Sequence, residues 1–378
     1  MRIIIGADIV PTESNKSAFI NADVKSLIDE NLIGVLKNAD YRVFNLEVPL
    51  TDRENPIEKC GPNLIAPKAS MNGIRAVGAD FVTLANNHIM DQGETGLCDT
   101  LDALNQVGIT YAGVGKTIEE AAASHIITID NIKIGFYCCA EHEFSIVSDT
   151  SAGANPFDPL WSFDHIHMLK KECDYVIVLY HGGKEEYRYP SPELQRICRR
   201  IADKGADLII CQHTHCVGCE EKWNGSTIVY GQGNFLFDDC DNEFWKTSML
   251  VVLENSDENI EIKYLPMCKN GSAVRLANSN EKEKILQDFM ERSVNIQKDG
   301  FVESEYTRYA KEMLPSYYRR TIGKVQRNIV FKVLNKLSRG TLRSRWYSSS
   351  DALALINTLE CEPHRELFLE GLRSCHQK

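Results

Sequence analysis

The feature that most restricts the fold of this chain is the alternation of short β-branched runs with amphipathic helical patterns over its first two thirds. Buried strands are predicted at residues 2–5, 41–44, 81–84, 175–179 and 208–210. Apolar residues at helical spacing predict helices at residues 24–37, 69–77, 96–106 and 193–204. Several of these helices end in a turn that contains glycine, which is typical of helix C-caps. Strands that alternate with helices through short connections indicate an α/β fold.

Two regions depart from this alternation. Residues 125–137 and 219–265 read as strands joined by turns, so we expect the sheets to contain antiparallel members as well. After residue 278 the pattern is helical to the end, and the charged residues of the stretch 313–346 are all basic. We therefore predict a layered α/β domain with mixed sheets flanked by helices (1–278) and a basic helical C-terminal appendage (279–378).

Composition argues against several classes of partner and location. The formal net charge is −11, which disfavours nucleic acid because phosphate backbones attract basic proteins. No stretch approaches the ~20 apolar residues of a membrane span, and the N-terminus reads into a strand rather than a signal peptide. The 13 cysteines are scattered and odd in number, which is typical of a reducing compartment. We expect a location in the cytoplasm or at the inner face of the membrane.

Polar side chains stand at the end of each of the five predicted strands. In α/β sheets, ligands collect outside the carboxyl ends of the strands. The residues placed there are Asp8, Asn45, Glu47, Asn86, Asn87, His88, Asp91, His181, His213 and His215. Five strand ends are thus expected to bring carboxylate, amide and imidazole groups to one edge.

Each of these residues has an ordinary structural explanation when it is taken alone. Asp8 could be a turn or cap residue, and His181 could be a hydrogen-bonded core histidine. On an extended segment, His213 and His215 point to the same face, where they could chelate one ion. The coincidence at five equivalent positions favours one polynuclear site. Oxygen and imidazole donors suit one or two divalent ions, Mn²⁺, Fe²⁺ or Zn²⁺.

A cysteine pair close to these histidines offers a competing interpretation. Cys216 and Cys219 form a C-x-x-C sequence, which in a structural zinc site requires two further ligands. We find no second cysteine pair to complete such a site. We interpret the two cysteines as the beginning of the next strand.

Six motifs in a fixed order carry a family resemblance. They are "GADI", "NLEVPLT", "LANNHIMDQGETG", "VIVLYHGGKEEY", "CQHTHCVG" and "VYGQGNFLFD". Together they resemble the bacterial capsule-synthesis family of CapA-type poly-γ-glutamate biosynthesis proteins, whose domain is similar in fold to calcineurin-like metallophosphoesterases. The resemblance covers roughly residues 1–265 and implies a metallophosphoesterase-like fold there. The C-terminal appendage lies outside it.

The resemblance also implies a set of metal ligands. They are Asp8, Glu47, Asn87, His181, His213 and His215. In this assignment Glu47 bridges two ions, which hydrolytic centres hold ~3.5–4 Å apart. His181 and His213 complete the ligands of one ion, and His215 belongs to the other.

Further roles follow from the same resemblance. A metal-bound hydroxide is expected to attack the substrate, while His88 protonates the leaving group. Asp91 is expected to orient His88. The residues that we predict to contact substrate are Asn45, Asn86, Glu141, His142, Lys184, Glu185 and Asn234.

The sequence departs from the family pattern at several positions. Val10 stands where metallophosphoesterases have a histidine ligand, and Glu47 stands where they have aspartate. The family sequences "SLGNF" and "H-W-G-x-E" are here "GQGNF" and "H-G-G-K-E". Without the first histidine, either the second ion is held weakly or a group from Glu141, His142 and Glu143 replaces it. The alternative for these three residues is a charged loop tip.

Three functions are compatible with these features. The leading hypothesis is a metal-dependent hydrolase or transferase in capsule or exopolymer synthesis, acting on a phosphoester or a γ-glutamyl amide of an anionic polymer. The second is a non-catalytic metal-containing subunit, whose basic appendage docks on capsule-assembly proteins or the inner membrane surface; alternatively, the appendage packs on the domain. The third is a generic phosphoesterase or nucleotidase, although we assign no aromatic clamp for a base.

Overall fold

The computed structural model describes residues 1–238, 241–256, 259–321, 333–334, 336–338 and 349–376. Most of the basic stretch 313–346 lies outside the described residues. Its predicted docking on a membrane or a partner therefore stays a prediction.

Strands and helices alternate over the first two thirds of the chain, and helices follow. The strands are β1 (Arg2–Val10), β2 (Tyr41–Leu46), β3 (Phe81–Thr83), β4 (Thr110–Ala112), β5 (Val114–Gly115), β6 (His125–Ile129), β7 (Ile132–Ala140), β8 (Gly153–Ala154), β9 (Tyr175–His181), β10 (Leu208–Gln212), β11 (Glu220–Trp223), β12 (Ser226–Val229), β13 (Asn234–Phe237), β14 (Thr247–Ser256), β15 (Asn259–Asn270) and β16 (Ala273–Leu276). The helices are α1 (Lys16–Ile20), α2 (Val24–Leu27), α3 (Glu30–Lys37), α4 (Met71–Val77), α5 (Gly93–Val107), α6 (Ile118–Ala121), α7 (Ser162–Glu172), α8 (Pro192–Asp203), α9 (Ser279–Asn295), α10 (Phe301–Thr321), α11 (Ser349–Glu360) and α12 (Glu362–His376).

Two large mixed sheets form within the described residues. The first has the order β16-β15-β14-β1-β2-β3-β4, with β13 also paired to β1. Strands β1 to β4 are parallel, whereas β14 to β16 are antiparallel. The second sheet has the order β11-β12-β10-β9-β7-β6, with four parallel inner strands between two antiparallel edges. The expected antiparallel members are therefore confirmed.

The two sheets pack face to face between layers of helices. In β1, alternation sends Ile3 and Ile5 toward the second sheet and Ile4 toward the helices on the outer face. A second outer core joins β9 and β10 to α7 and α8. The expected layered α/β fold, with mixed sheets flanked by helices, is confirmed. Three consecutive isoleucines can all be buried because both faces of the sheet are covered.

The boundaries of the first predicted helix differ from those in the structure. The segment 24–37 is two helices rather than one, because Ile28 is extended and the Asp29 side chain caps α3 by accepting from the backbone N–H of Leu32. Helices α4 and α5 end at Gly78 and Gly108, both left-handed, as the turn signals predicted.

Strand register explains why remote polar residues meet. Asp8 in β1 is paired with Asn45 in β2 on one side and with Asn234 in β13 on the other. In the second sheet, His181 in β9 is paired with Gln212, the last residue of β10. The strands extend beyond the predicted limits, so Asp8, Asn45 and His181 are strand residues. The carboxyl ends of the parallel strands from both sheets thus open at one edge.

The helices after residue 278 pack on the domain. Helix α9 contacts β11 and β15, and α10 packs against α12 and α11. No helix in the described part of the chain combines the length and the apolar character that crossing a bilayer requires. The predicted division at residue 278 stays a prediction.

Candidate metal centre

Glu47 lies immediately after β2, at the edge where the two sheets open. Its side chain is 0 % exposed, and neither carboxylate oxygen has a hydrogen-bond partner among the described residues. His181 Nε2 is 3.3 Å from Glu47 Oε1 without the alignment of a hydrogen bond. A buried carboxylate without donors is costly unless a cation accompanies it. The burial of Glu47 without hydrogen-bond donors is therefore the strongest indication of a metal ion at this edge.

Two further donor atoms lie near the same nitrogen of His181. His181 Nε2 is 3.0 Å from Asn87 Oδ1 and 3.0 Å from His213 Nδ1. Ligand atoms that share a tetrahedral ion at about 2.0–2.1 Å lie roughly 3.3 Å apart. The carboxylate, the amide and the two imidazoles are thus spaced like ligands of one ion. This mixed set of oxygen and nitrogen donors fits a divalent metal such as Zn²⁺, Mn²⁺ or Fe²⁺.

A second group of donors shares Glu47. The ligand atoms of Asp8, Glu47 and His215 all lie within 4.8 Å of one another, as do those of Glu47, His181 and His213. Asp8 Oδ2 is 3.4 Å from His215 Nδ1 and has no hydrogen-bond partner among the described residues. The two groups meet at one carboxylate, which fits the bridging role predicted for Glu47.

The H-x-H segment adopts a different backbone from the predicted one. Strand β10 ends at Gln212, and His213 and His215 have φ values of 87° and 52°. The expectation of an extended segment is therefore wrong, although both rings still reach the centre. Non-glycine residues with positive φ store strain and concentrate at functional sites. The strained backbone at His213 and His215 directs both imidazoles from a turn into one pocket.

Residues in and after β13 hold His215 in place. Its Nδ1 is 2.8 Å from Asn234 Oδ1, and its ring lies 4.9 Å from the ring of Trp245. Gly231, in "GQGNF", has φ +123°, and a Cβ there would lie 2.6 Å from Thr214 Oγ1. A glycine is therefore required where the family has serine. Asn234 is a neighbour of the donors, and its predicted contact with substrate stays a prediction.

The pKa values of the side chains in the centre are shifted by burial and by the charges of their neighbours. Burial raises the pKa of Glu47, but the charges of His181 and His215 outweigh burial and lower it to about 2. Burial and the charge of Glu47 raise the pKa of Asp8. Burial lowers the pKa of His215, yet Asp8 and Glu47 raise it to about 10. The carboxylates thus hold a proton on His215, which is the positive charge that a metal ion would replace.

His88 stands beside the donor groups rather than among them. Its Nδ1 is 2.6 Å from Asp91 Oδ2, as expected for a residue that Asp91 orients. Asp91 is fully buried, accepts from the backbone N–H of Leu64 at 2.6 Å and forms an ion pair with Lys59. Lys59 also lies 3.3 Å from His88 Nδ1. No sequence pattern pointed to Lys59, since it lies in a loop without a helix or strand.

Asn45 and Asn86 form a buried amide network beneath the centre. Asn45 Nδ2 donates to Asp8 Oδ1 at 2.7 Å and lies 3.3 Å from His181 Nδ1. Asn86 Nδ2 donates to Asn45 Oδ1 at 3.0 Å, and Asn86 Oδ1 accepts from the backbone N–H of His88. Both amides are engaged by protein groups and position the donors. Their predicted contact with substrate stays a prediction.

Residues of the loop after β7 contact both the centre and the C-terminal helices. Glu141 Oε1 is 3.3 Å from His213 Nε2, and Glu143 Oε2 accepts from Asn87 Nδ2 at 2.9 Å. His142 instead contacts the carboxylate of Glu362 through its backbone N–H and through Nδ1, at 2.8 and 2.6 Å. Glu141 and Glu143 therefore lie beside the metal edge, with ligand atoms within 4.8 Å of one of His213. His142, predicted with them, faces the appendage.

The C-terminal helices cover the centre. A cavity of about 230 Å³ lies between the metal edge and these helices. Its lining residues include Lys59, Asn87, His88, Lys184 and Glu185 from the domain, and Met313, Tyr317, Asn357 and His364 from α10, α11 and α12. Of the predicted substrate residues, Lys184 and Glu185 line this cavity and pair with each other at 3.6 Å. We call α10, α11 and α12 the roof.

The attachment of the roof is expected to weaken as pH rises from about 5 to 8. Glu366 accepts from the Ser191 hydroxyl and, at 2.9 Å, from the backbone N–H of Glu193. Burial raises the pKa of Glu366 to about 7, so its contribution is full below the unfolded pKa near 4.5 and is lost through pH 7. This contribution is on the order of 3 kcal/mol. Hydrogen exchange of α12 measured across this range checks it.

A matched variant separates the contributions to this pH dependence. The hydrogen bond to Glu362 also raises the pKa of His142, and that contribution too is lost as pH rises. Glu366→Gln is therefore expected to remove part of the pH dependence, and Glu366→Gln with His142→Gln to remove most of it. Protection of α12 that stays constant between pH 5 and 8 in the wild type would contradict this account.

The family that matches this chain and its curated relatives are all described as capsule or PGA proteins. A sequence profile described as "Bacterial capsule synthesis protein PGA_cap" matches residues 2–239. "PGA biosynthesis protein CapA" of Bacillus subtilis (strain 168) is 29 % identical over 209 residues, covering 54 % of this chain and 55 % of the relative. "Capsule biosynthesis protein CapA" of Bacillus anthracis is 28 % identical over 213 residues, covering 54 % and 52 %. The chain thus spans about half the length of these curated relatives.

Solved structures resemble the chain more distantly. The 5'-nucleotidase precursor from Thermus thermophilus has a TM-score of 0.41 and 12 % identity. The aligned region covers 77 % of this chain and 58 % of that one. Likeness at this level carries no argument about the reaction.

Proposed function

This chain belongs to the bacterial capsule synthesis protein PGA_cap family, and from that premise we propose that it is a metal-dependent hydrolase of capsule or exopolymer synthesis. The bonds that we propose it cleaves are a phosphoester or a γ-glutamyl amide. The names of the two Bacillus relatives refer to biosynthesis of PGA and of capsule. The sequence motifs resemble poly-γ-glutamate proteins, which suggests the amide substrate.

One observation supports the proposal above all others: the buried Glu47 carboxylate lacks hydrogen-bond donors among the described residues yet belongs to two groups of metal-binding side chains. Fold stability alone does not favour such a residue, because an apolar or hydrogen-bonded side chain would cost less. A carboxylate shared by both groups could hold two adjacent divalent ions. Bound ions of this kind activate water and neutralise charge that develops on a substrate oxygen.

The residues of the chain then have separate tasks. His88 lines the cavity and is positioned to give a proton to the leaving group, with Asp91 fixing its ring. Lys184 supplies a positive charge at the cavity wall, where an anionic part of the substrate can bind. The roof limits the volume to about 230 Å³, below the ~300–1,000 Å³ of typical ligand pockets. We expect a small group or a chain end to bind there.

An assay of both substrate classes tests the proposal. Phosphoesters and γ-glutamyl peptides are offered with Mn²⁺ to the wild type, to His213→Ala and to His167→Ala. His167 lies on α7, is exposed and serves as a matched histidine control. We expect turnover of one substrate class by the wild type and by His167→Ala, and loss of at least ~100-fold in His213→Ala. Failure of the wild type on both classes, or full activity of His213→Ala, would refute the proposal.

We further propose that the protein works in a reducing compartment, the cytoplasm. The described cysteines are free thiols, and Cys198 Sγ and Cys211 Sγ lie 3.6 Å apart without a bond. Such pairs persist reduced where glutathione and thioredoxin act.

A further inference from the structure

A cluster of donors next to the proposed dinuclear centre, containing none of its six predicted ligands, joins the domain to the roof. The ligand atoms of Glu143, Cys361 and His364 all lie within 4.8 Å of one another. Glu143 follows β7, whereas Cys361 is the residue between α11 and α12, and His364 lies in the first turn of α12. Carboxylate, thiol and imidazole are the three side-chain types that bind Zn²⁺. The family profile ends at residue 239, so two of these residues lie beyond it.

A second carboxylate adds to this cluster. Glu141 is 2 % exposed, and its Oε1 lies 3.9 Å from Cys361 Sγ. The ligand atoms of Glu141 and Glu143 are themselves within 4.8 Å of each other. Two carboxylates at this separation, one of them buried, repel unless one of them holds a proton or a cation lies beside them. The environment of Cys361 thus favours a bound cation.

The imidazole of the cluster contacts a protein group through one ring nitrogen. His364 Nδ1 lies 2.6 Å from the hydroxyl of Tyr317 on α10. A histidine that binds a metal through one ring nitrogen usually engages a protein group through the other. Tyr317 fills that role and fixes the ring plane of His364.

We propose that Glu143, Cys361 and His364 form a zinc site separate from the dinuclear centre, with Glu141 as a fourth ligand. When Zn²⁺ binds, the Cys361 thiol loses its proton to the solvent and the thiolate forms the sulfur–zinc bond. The ion ties the α11–α12 junction to the loop after β7. This site holds the roof in place and does not depend on the reaction proposed above.

Cobalt substitution tests the site through its sulfur ligand. The proposed dinuclear donors are oxygens and nitrogens, so a thiolate-to-Co²⁺ charge-transfer band in the near ultraviolet reports a sulfur ligand. Metal-free full-length protein is titrated with Co²⁺ as the wild type, as Cys361→Ser and as Cys60→Ser. Cys60 lines the neighbouring cavity and is a matched control. We expect the band in the wild type and in Cys60→Ser, and its loss in Cys361→Ser.

Zinc content provides a second readout. Cys361→Ser and His364→Gln are each expected to bind one equivalent of Zn²⁺ less than the wild type, with circular dichroism showing that both are folded. Glu47→Gln is expected to lose zinc from the dinuclear centre while the cobalt band persists, so failure of either site is recognised separately. Absence of the band in the wild type, or its persistence in Cys361→Ser, overturns the proposal.

Discussion

Glu47→Gln is expected to remove most of the thermal stabilisation that Mn²⁺ gives the wild type. A ligand that binds only the folded protein adds about 4.1 kcal/mol at about 1,000 times its dissociation constant. Loss of an outer hydrogen-bond partner alone weakens metal affinity ~10–100-fold. Loss of a carboxylate shared by two donor groups should exceed ~100-fold, or more than ~2.7 kcal/mol of that stabilisation. Differential scanning calorimetry at increasing Mn²⁺ measures the effect.

A second buried glutamate provides the control for this experiment. Glu221 is 4 % exposed and contacts Arg199, Gln195 and Tyr230, none of which is a proposed metal donor. Glu221→Gln is expected to lower the melting temperature with and without Mn²⁺ by the same amount, because its partner is left with an unpaired charge. A Glu47→Gln variant that keeps the full increment from Mn²⁺ would show that Glu47 binds no metal.

The edge of the sheets that carries the centre was predictable from the sequence. Buried β-branched runs identify parallel strands, and parallel strands present their carboxyl ends at one edge. Asp8, Glu47 and His181 were located in this way, since each lies at or beyond the end of such a run. What the pattern did not contain is the register. Pairing of Asp8 with both Asn45 and Asn234 depends on contacts between strands that are remote in the sequence.

The turn that carries the two histidines shows a different limit. Alternation of side chains holds only while the backbone is extended. His213 and His215 lie just past β10, where positive φ values replace the strand geometry. Their side chains still converge, but through a strained turn. The H-x-H pattern therefore predicted correctly that both imidazoles reach one site. The extended backbone on which that prediction rested is absent.

The surface on which the roof packs lay beyond what the sequence could predict. Contacts such as that of His142 with Glu362 join residues 220 positions apart. Helical periodicity identifies an apolar face, but it does not say which surface that face covers. Tyr187, after β9, stacks on Tyr309 of α10 with ring centroids 4.3 Å apart. No sequence pattern around either tyrosine predicts this contact. The same holds for Lys59, whose ion pair with Asp91 is visible only in three dimensions.

His88→Asn is expected to slow turnover ~100–10,000-fold while leaving the metal content unchanged, because His88 lies outside the donor groups. The loss should depend on the leaving group. A general acid matters most when the departing oxygen or nitrogen is basic, and little when the leaving group is already a stable anion. We therefore expect a large loss with an alkyl phosphoester or a γ-glutamyl amide and a small one with a nitrophenyl ester.

The neighbours of His88 distinguish proton donation from a merely structural role. Asp91→Asn keeps the shape of the side chain but weakens the contact that fixes Nδ1 of His88 at 2.6 Å, so we expect an intermediate loss with the same dependence on the leaving group. Lys59→Met removes the ion pair of Asp91 and leaves the imidazole of His88 in the chain. An equal loss on all leaving groups in His88→Asn would mean that His88 shapes the cavity and gives no proton.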